Sequence, residues 1–93
     1  MVKKMHNIKY RCIDIESVTD NPIHDKVRGN ICYLAYLNEG ERGWFLCEPD
    51  NMFEPIHRIH TSTVKEIQYT RGGQVIVFTR NTKYVFKNVA FEE

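Results

Sequence analysis

Hydrophobic and polar residues alternate with a two-residue period in several short segments, and this pattern predicts β-strands. Residues 8–15 alternate in this way until the phase slips at Ile13, so we expect a bulge at Cys12 or Ile13. Residues 30–37 and 74–79 are apolar at successive positions, which is typical of strands that are covered on both faces. Strand is therefore the dominant local signal.

Turn residues at 38–41, 71–73 and 80–82 join neighbouring segments into hairpins. Residues 57–60 form a further short alternating segment. The strands predicted around the turns are 30–37, 43–47, 64–69, 74–79 and 83–89. The last three of these strands are expected to form a meander.

Two stretches lack a clear strand pattern. Residues 17–28 are polar and rich in turn formers, so we predict an exposed loop of about a dozen residues. No stretch carries a sustained apolar stripe of helical period. The best helical candidate is a single turn that starts at residues 61–63, where Thr63 and Glu66 have the spacing of a capping box.

Six or seven short strands in one small chain predict an all-β fold, because such strands must protect their edges by closure or stacking. The two solutions are a small barrel of the SH3-like sort and a compact antiparallel sandwich, and we favour the barrel. We expect a single β domain over residues 1–93, with a flexible N-terminus at 1–7.

Composition agrees with a small globular domain. The 93 residues are 42% hydrophobic and 27% charged, and the net charge of +1 gives no overall attraction to nucleic acid or to an anionic membrane. No apolar run approaches the roughly 18 residues that a membrane helix needs, and no apolar segment follows the basic N-terminus. We therefore expect a cytoplasmic protein without a membrane partner.

The cysteines indicate a reducing environment. Cys12, Cys32 and Cys47 are odd in number and widely spaced, and they form no Cys-x-x-Cys pair. This arrangement gives no disulfide framework, so we expect three reduced thiols in the core.

His57 and His60 are the most obvious candidates for metal ligands, with Cys47 or His24 as a third. On a helix both imidazoles would share one face, but in a strand they point to opposite faces. Because the surrounding pattern predicts a strand, we expect no metal and no other cofactor.

Ser62 and Lys65 have the Ser-x-x-Lys spacing with which an amine activates a serine nucleophile. The partner motifs of the enzymes that use this pair are missing from the sequence. Clustered hydroxyl groups more often bond to local backbone at a turn. We therefore expect a protein that is not an enzyme.

A different chemistry suits the same segment. Hydroxyl donors next to guanidinium groups offer an anion both directional hydrogen bonds and charge. The candidate residues for binding a ligand or partner are the three hydroxyl residues 61–63, the basic residues just before them and the arginines of two hairpin turns. They are Arg58, His60, Thr61, Ser62, Thr63, Arg71 and Arg80.

Charge is unevenly distributed along the chain. Residues 65–87 hold five Lys and Arg against one carboxylate. With Tyr69 and Tyr84 nearby, this basic segment could bind nucleic acid by stacking. Lys and Arg also protect sheet edges from pairing. Solvated edge charge is therefore the favoured interpretation, and an acidic protein partner is a third.

An acidic segment and a pair of aromatic residues are further candidates for contact with a partner. Residues 48–54 hold three carboxylates, which we expect to be solvated, and a contact with a protein partner is the alternative. Trp44 and Phe45 are neighbours in a predicted strand, so one of them faces the core. We expect Trp44 to be buried there, whereas an exposed Trp44 would be an interface anchor.

Three sequence motifs occur in a familiar order: Gly40-Glu41-Arg42-Gly43-Trp44-Phe45, His57-Arg58-Ile59-His60-Thr61-Ser62-Thr63-Val64 and Thr79-Arg80-Asn81-Thr82-Lys83-Tyr84-Val85-Phe86. This order resembles short β-rich proteins of phages and prophages of Firmicutes-type bacteria, over about residues 29–88. The resemblance implies a mobile-element protein in the host cytosol, and such proteins often act by binding host defence or replication machinery.

The expected function is non-enzymatic and stoichiometric. We expect a phage-type binding protein that inhibits host defence or other host machinery by binding a host protein or a small anionic ligand. Both a monomer and a homo-oligomer are compatible with this function. The alternatives are a small β-barrel that binds nucleic acid and a virion or structural component.

Overall fold

The computed structural model describes residues 8–92. The predicted flexible N-terminus at 1–7 lies outside the described residues. The elements in chain order are β1 (Tyr10–Ser17), α1 (Ile23–Val27), β2 (Ile31–Tyr36), β3 (Arg42–Cys47), β4 (His57–Tyr69), β5 (Gln74–Thr79), β6 (Thr82–Asn88) and a 3-10 turn (Val89–Phe91).

The six strands form one closed antiparallel barrel in the order of the sequence, and β1 closes the ring against β6. Closure leaves every strand with a neighbour on both sides, which removes the open edges of a sheet. The all-β prediction is confirmed, and the barrel replaces the sandwich that was its alternative. The predicted meander in the C-terminal third is also confirmed, as β4, β5 and β6.

The strand β4 differs from the prediction. It runs unbroken over 13 residues, so the segments predicted at 57–60 and 64–69 belong to one strand. Its first half pairs with β3 and its second half with β5. The candidate helical turn at 61–63 does not form, because these residues lie within β4, where Ile59 and Thr61 are buried.

The predicted bulge in the first strand is confirmed. The pairing register between β1 and β6 shifts between Cys12 and Asp14. One extra residue there turns Ile13 outward, where it is 41% exposed, and brings Ile15 back to the buried face. The bulge therefore explains the slip of phase in the hydrophobic pattern of the sequence.

The exposed loop predicted at 17–28 is wrong in part. Ser17 belongs to β1, and α1 packs Val27 and His24 against the barrel. A helix of five residues is too short to show a helical period in the sequence.

None of the helices in the described part of the chain is long and apolar enough to cross a membrane.

Aromatic rings fill the centre of the barrel. Phe45 meets Tyr84 and Phe86 edge-on, with ring centroids 5.4 and 5.2 Å apart. The prediction of a buried Trp44 is wrong, because alternate residues of β3 face inward and Phe45 occupies the inward position. Trp44 is half-buried, and the guanidinium of Arg58 lies 4.5 Å from its ring centroid.

Gly43 and the cysteines complete the core. A Cβ atom on Gly43 would lie 2.5 Å from the carbonyl oxygen of Tyr36, so only glycine allows β2 and β3 to approach this closely. The thiols of Cys12, Cys32 and Cys47 are free and buried, which confirms their predicted place in the core.

Candidate anion-binding cleft

The middle of β4 brings two distant turns together. Arg42, at the start of β3, is the register partner of Thr63. The backbone N–H of Arg80, which follows β5, donates to the carbonyl oxygen of Thr63 at 2.9 Å. Two arginines separated by 37 other residues of the sequence therefore flank the same residue of β4.

A surface cleft of about 370 Å³ lies between these arginines, and all the residues that line it are polar: Arg42, Ser62, Thr63, Arg80 and Asn81. Both arginine side chains are exposed. Within residues 8–92, neither guanidinium forms a salt bridge with a carboxylate. Most of their N–H donors therefore remain available to an anion.

Hydroxyl groups hold the cleft in shape. Ser62 Oγ donates to Thr79 Oγ1 at 2.9 Å and accepts from the backbone N–H of Asn81 at 3.2 Å. Thr79 Oγ1 in turn donates to the carbonyl oxygen of Thr82 at 2.9 Å. Because the single Ser62 proton is used inside the protein, Ser62 positions the turn after β5 and is not itself a donor to a ligand.

The remaining hydroxyls of the step have different roles. Thr61 is 1% exposed, and its Oγ1 accepts from the backbone N–H of Gly43 at 3.0 Å. Thr63 is exposed, and its hydroxyl has no hydrogen-bond partner in the described part of the chain. The expectation that these hydroxyls bond to local backbone is confirmed for Thr61, whose Oγ1 donates to the carbonyl oxygen of Ser62 at 2.7 Å. It is wrong for Ser62, which bonds to residues of β5 and the turn after it.

The structure brings only part of the predicted set into the cleft: Ser62, Thr63 and Arg80. Arg58 lies over the ring of Trp44. Arg71 is in the turn after β4, and the six residue-to-residue steps from Thr63 to Tyr69 span about 20 Å of strand at about 3.3 Å each. Arg71 therefore does not belong to this site.

A smaller polar pocket of about 170 Å³ adjoins the cleft and shares Arg42, Ser62 and Asn81 with it. Thr61 and His60 of the predicted set line this pocket. His24 of α1 also lines it and is 8% exposed. Burial, with a smaller contribution from the charge of Arg28, holds the pKa of His24 below its usual value, so the imidazole is neutral at pH 7.

The sequence did not predict Arg42 or Asn81 as site residues, and it offered His24 only as a possible metal ligand. Arg42 and Asn81 lie beside hairpin turns far apart in the sequence, and only the register of an unbroken β4 brings them together. Their turn positions and polar chemistry were visible, but the pairing that unites them was not. His24 lay in the segment predicted as an exposed loop.

The histidines of β4 lie on opposite faces of the strand, as predicted. His57 is half-buried, and its Nε2 lies 3.6 Å from Glu54 Oε2. His60 is exposed. Among residues 8–92, no group of three or more His, Cys, Asp or Glu side chains could hold a metal ion.

The basic segment 65–87 does not present two stacking tyrosines. Tyr84 is 3% exposed and belongs to the core, whereas Tyr69 is 68% exposed. Lys83 Nζ lies 3.7 Å from Glu16 Oε2 and 5.7 Å from the ring centroid of Phe78. The alternative in which both tyrosines stack on nucleic acid therefore loses Tyr84.

Comparisons with family models, with curated proteins and with solved structures find no match to this chain. The resemblance drawn from the sequence motifs therefore stays a prediction.

Proposed function

We propose that this protein is a non-enzymatic binding protein that takes an anionic group, a phosphate or a carboxylate, in the cleft between Arg42 and Arg80. The observation that carries the proposal is that two guanidinium groups without a salt bridge flank Thr63, whose hydroxyl is also unpaired within the described residues. Charge-assisted hydrogen bonds from arginine are among the strongest that proteins make to such anions.

The internal hydrogen bonds of Ser62 also favour binding over catalysis. A serine nucleophile needs a base that accepts its proton, but the Ser62 hydroxyl donates to the neutral hydroxyl of Thr79. The residues of the cleft offer donors and positive charge, which suit the recognition of an anion. We therefore infer that the protein acts by stoichiometric binding.

The resemblance to phage proteins extends this proposal. The bound anion would belong either to a small ligand or to a protein of the host, and sequestering it would inhibit host machinery. Nucleic acid offers phosphate groups as well, so binding to a polymer is one of the outcomes that the experiment separates.

The experiment is isothermal titration calorimetry of the full chain with inorganic phosphate, acetate and a single-stranded oligonucleotide. We expect saturable phosphate binding that Arg42→Ala and Arg80→Ala each weaken at least about tenfold, since one hydrogen bond to a charged group contributes about 1.5 to 3 kcal/mol. Arg71→Ala is the matched control, because it removes the same charge from an exposed turn outside the cleft.

The control separates a site from general electrostatics. If Arg71→Ala weakens phosphate binding as much as Arg80→Ala does, the cleft is not the site. Binding of the oligonucleotide that depends equally on all three arginines would favour the interpretation as a nucleic-acid-binding protein, because polymer binding sums many phosphate contacts.

A further inference from the structure

The pocket next to the anion cleft adjoins it along three residues. The two spaces share Arg42, Ser62 and Asn81, so a ligand with an anionic group in the cleft has the pocket directly beside it. The pocket of about 170 Å³ equals the volume of about five or six liquid water molecules. It can therefore hold a group of the size of a sugar ring.

An unpaired imidazole lines this pocket. His24 is 8% exposed and lies edge-on to Tyr84, which also lines the pocket, with ring centroids 6.1 Å apart. Within residues 8–92, neither ring nitrogen of His24 forms a hydrogen bond. Every fully buried side-chain nitrogen or oxygen of these residues has a hydrogen-bond partner. The two unpaired nitrogens of His24 are therefore not fully buried and are accessible to a ligand. A neutral imidazole presents one donor and one acceptor to that space.

The other residues around the pocket are mainly polar. Hydroxyl and amide groups can both donate and accept, which suits a ligand that carries several hydroxyl groups. The polar residues of the lining, besides His24 and those shared with the cleft, are Thr19, Asn21, His60, Thr61 and Thr82. The hydroxyls of Thr61 and Thr82 already have partners inside the protein, whereas the ring nitrogens of His24 have none among residues 8–92. An apolar ring would leave these nitrogens without partners, and such a loss disfavours binding.

The geometry points to a sugar phosphate as the ligand: the phosphate lies between Arg42 and Arg80, and the sugar ring enters the pocket beside His24. Because the two arginines stand on opposite sides of Thr63, a tetrahedral phosphate with three terminal oxygens can meet both guanidinium groups. A planar carboxylate has only two oxygens for this purpose. The inference rests on the proposed function and adds the class of ligand.

A sugar phosphate has two sources, a free sugar phosphate and the pentose phosphate of a nucleotide. The experiment therefore compares inorganic phosphate, ribose 5-phosphate and uridine 5′-monophosphate by calorimetry on the full chain. We expect ribose 5-phosphate to bind at least tenfold more tightly than inorganic phosphate. Tighter binding of the nucleotide than of ribose 5-phosphate would indicate a nucleotide source, and equal or weaker binding would indicate a free sugar phosphate.

Variants of His24 test the pocket separately from the cleft. His24→Phe keeps a ring against Tyr84 but removes both nitrogens. The affinity of this variant for ribose 5-phosphate should therefore fall to its affinity for inorganic phosphate, and the affinity for inorganic phosphate should equal that of the parent protein. His24→Asn keeps one donor and one acceptor and should restore part of the difference. Arg80→Ala should weaken the binding of all three ligands.

The outcomes distinguish the two levels of the proposal. Equal affinities of the parent protein for inorganic phosphate and ribose 5-phosphate would overturn the sugar pocket and leave the anion cleft standing. Absence of binding to every phosphate compound would overturn both. The comparison in the parent protein needs no variant, so it decides the question even if a change at His24 prevents folding.

Discussion

The backbone N–H of Arg80 donates to the carbonyl oxygen of Thr63 at 2.9 Å. This bond fixes the turn after β5 against the middle of β4, where Arg42 pairs from the other side. The anion cleft thus depends on backbone pairing, which holds the Cα positions of its arginines. Arg42 Nε donates to the carbonyl oxygen of Thr61 at 3.4 Å, and the remaining N–H groups of both exposed side chains can meet a ligand. Changes to the hydroxyls that support the turn should therefore affect both stability and binding.

The first prediction concerns Ser62. Ser62→Ala removes the hydrogen bond to Thr79 Oγ1 and leaves the backbone N–H of Asn81 without its acceptor. We expect the free energy of unfolding to fall by about 1 to 2 kcal/mol, because lost bonds and unpaired polar groups of this kind cost about that much. Urea denaturation measures it, and phosphate affinity should fall as well.

The matched control for this prediction is Thr63→Val. It keeps the branched shape that suits a strand and removes only an exposed hydroxyl. Its stability should stay within about 0.5 kcal/mol of the parent, as is usual for surface positions. If Ser62→Ala and Thr63→Val are equally stable, Ser62 does not support the turn.

The second prediction concerns pH. Burial and Arg28 hold the pKa of His24 below its ordinary value of 6.5 in the folded protein. As the pH falls below about 6.5, the unfolded chain gains a proton that the folded protein takes up only at lower pH, so stability falls. Above that pH, His24 is neutral in both states and contributes no pH dependence.

The measurement is the difference in unfolding free energy between the parent and His24→Phe from pH 7.5 to pH 5. The parent should lose more stability than the variant as the pH falls. All other residues are the same in both proteins, so the difference isolates the contribution of His24. A constant difference over this range would show that His24 titrates normally in the folded state.

The third prediction concerns the thiols. Cys32 and Cys47 are direct cross-strand partners, and both are fully buried and reduced. Burial also raises the pKa of the Cys12 thiol to about 12, so it holds almost no reactive thiolate at pH 8. Ellman's reagent should therefore react slowly with the folded protein.

After denaturation without reductant, the same reagent should find three thiols in protein purified from reducing cells. A count of one would reveal an intramolecular disulfide and would contradict the assignment of all three cysteines as reduced core residues.

The all-β architecture was predictable because local alternation reports which face of a strand is buried. The slip of phase at Ile13 even reported the bulge. The position of α1 was not predictable, since a single helical turn leaves too few residues to show a period. Three of the five residues that line the cleft, Ser62, Thr63 and Arg80, were predicted from the sequence.

Arg42 was not predictable as a member of the site. Its approach to Arg80 follows from the register of β4 with two different strands, and such long-range pairing is not encoded by local pattern. Arg71 shows the converse error. It has the same chemistry as Arg80 and also lies beside a hairpin turn, but β4 places it at the far end of the strand.

The most direct test of the central claim is a titration of the isotopically labelled protein with inorganic phosphate, followed by amide chemical shifts in NMR spectra. We expect saturable changes in chemical shift that are largest for the amides of Arg42, Ser62, Thr63, Arg80 and Asn81. The amides of Arg71 and its turn should move little. Shifts that are absent, or that are as large around Arg71 as around Arg80, would contradict an anion site between Arg42 and Arg80.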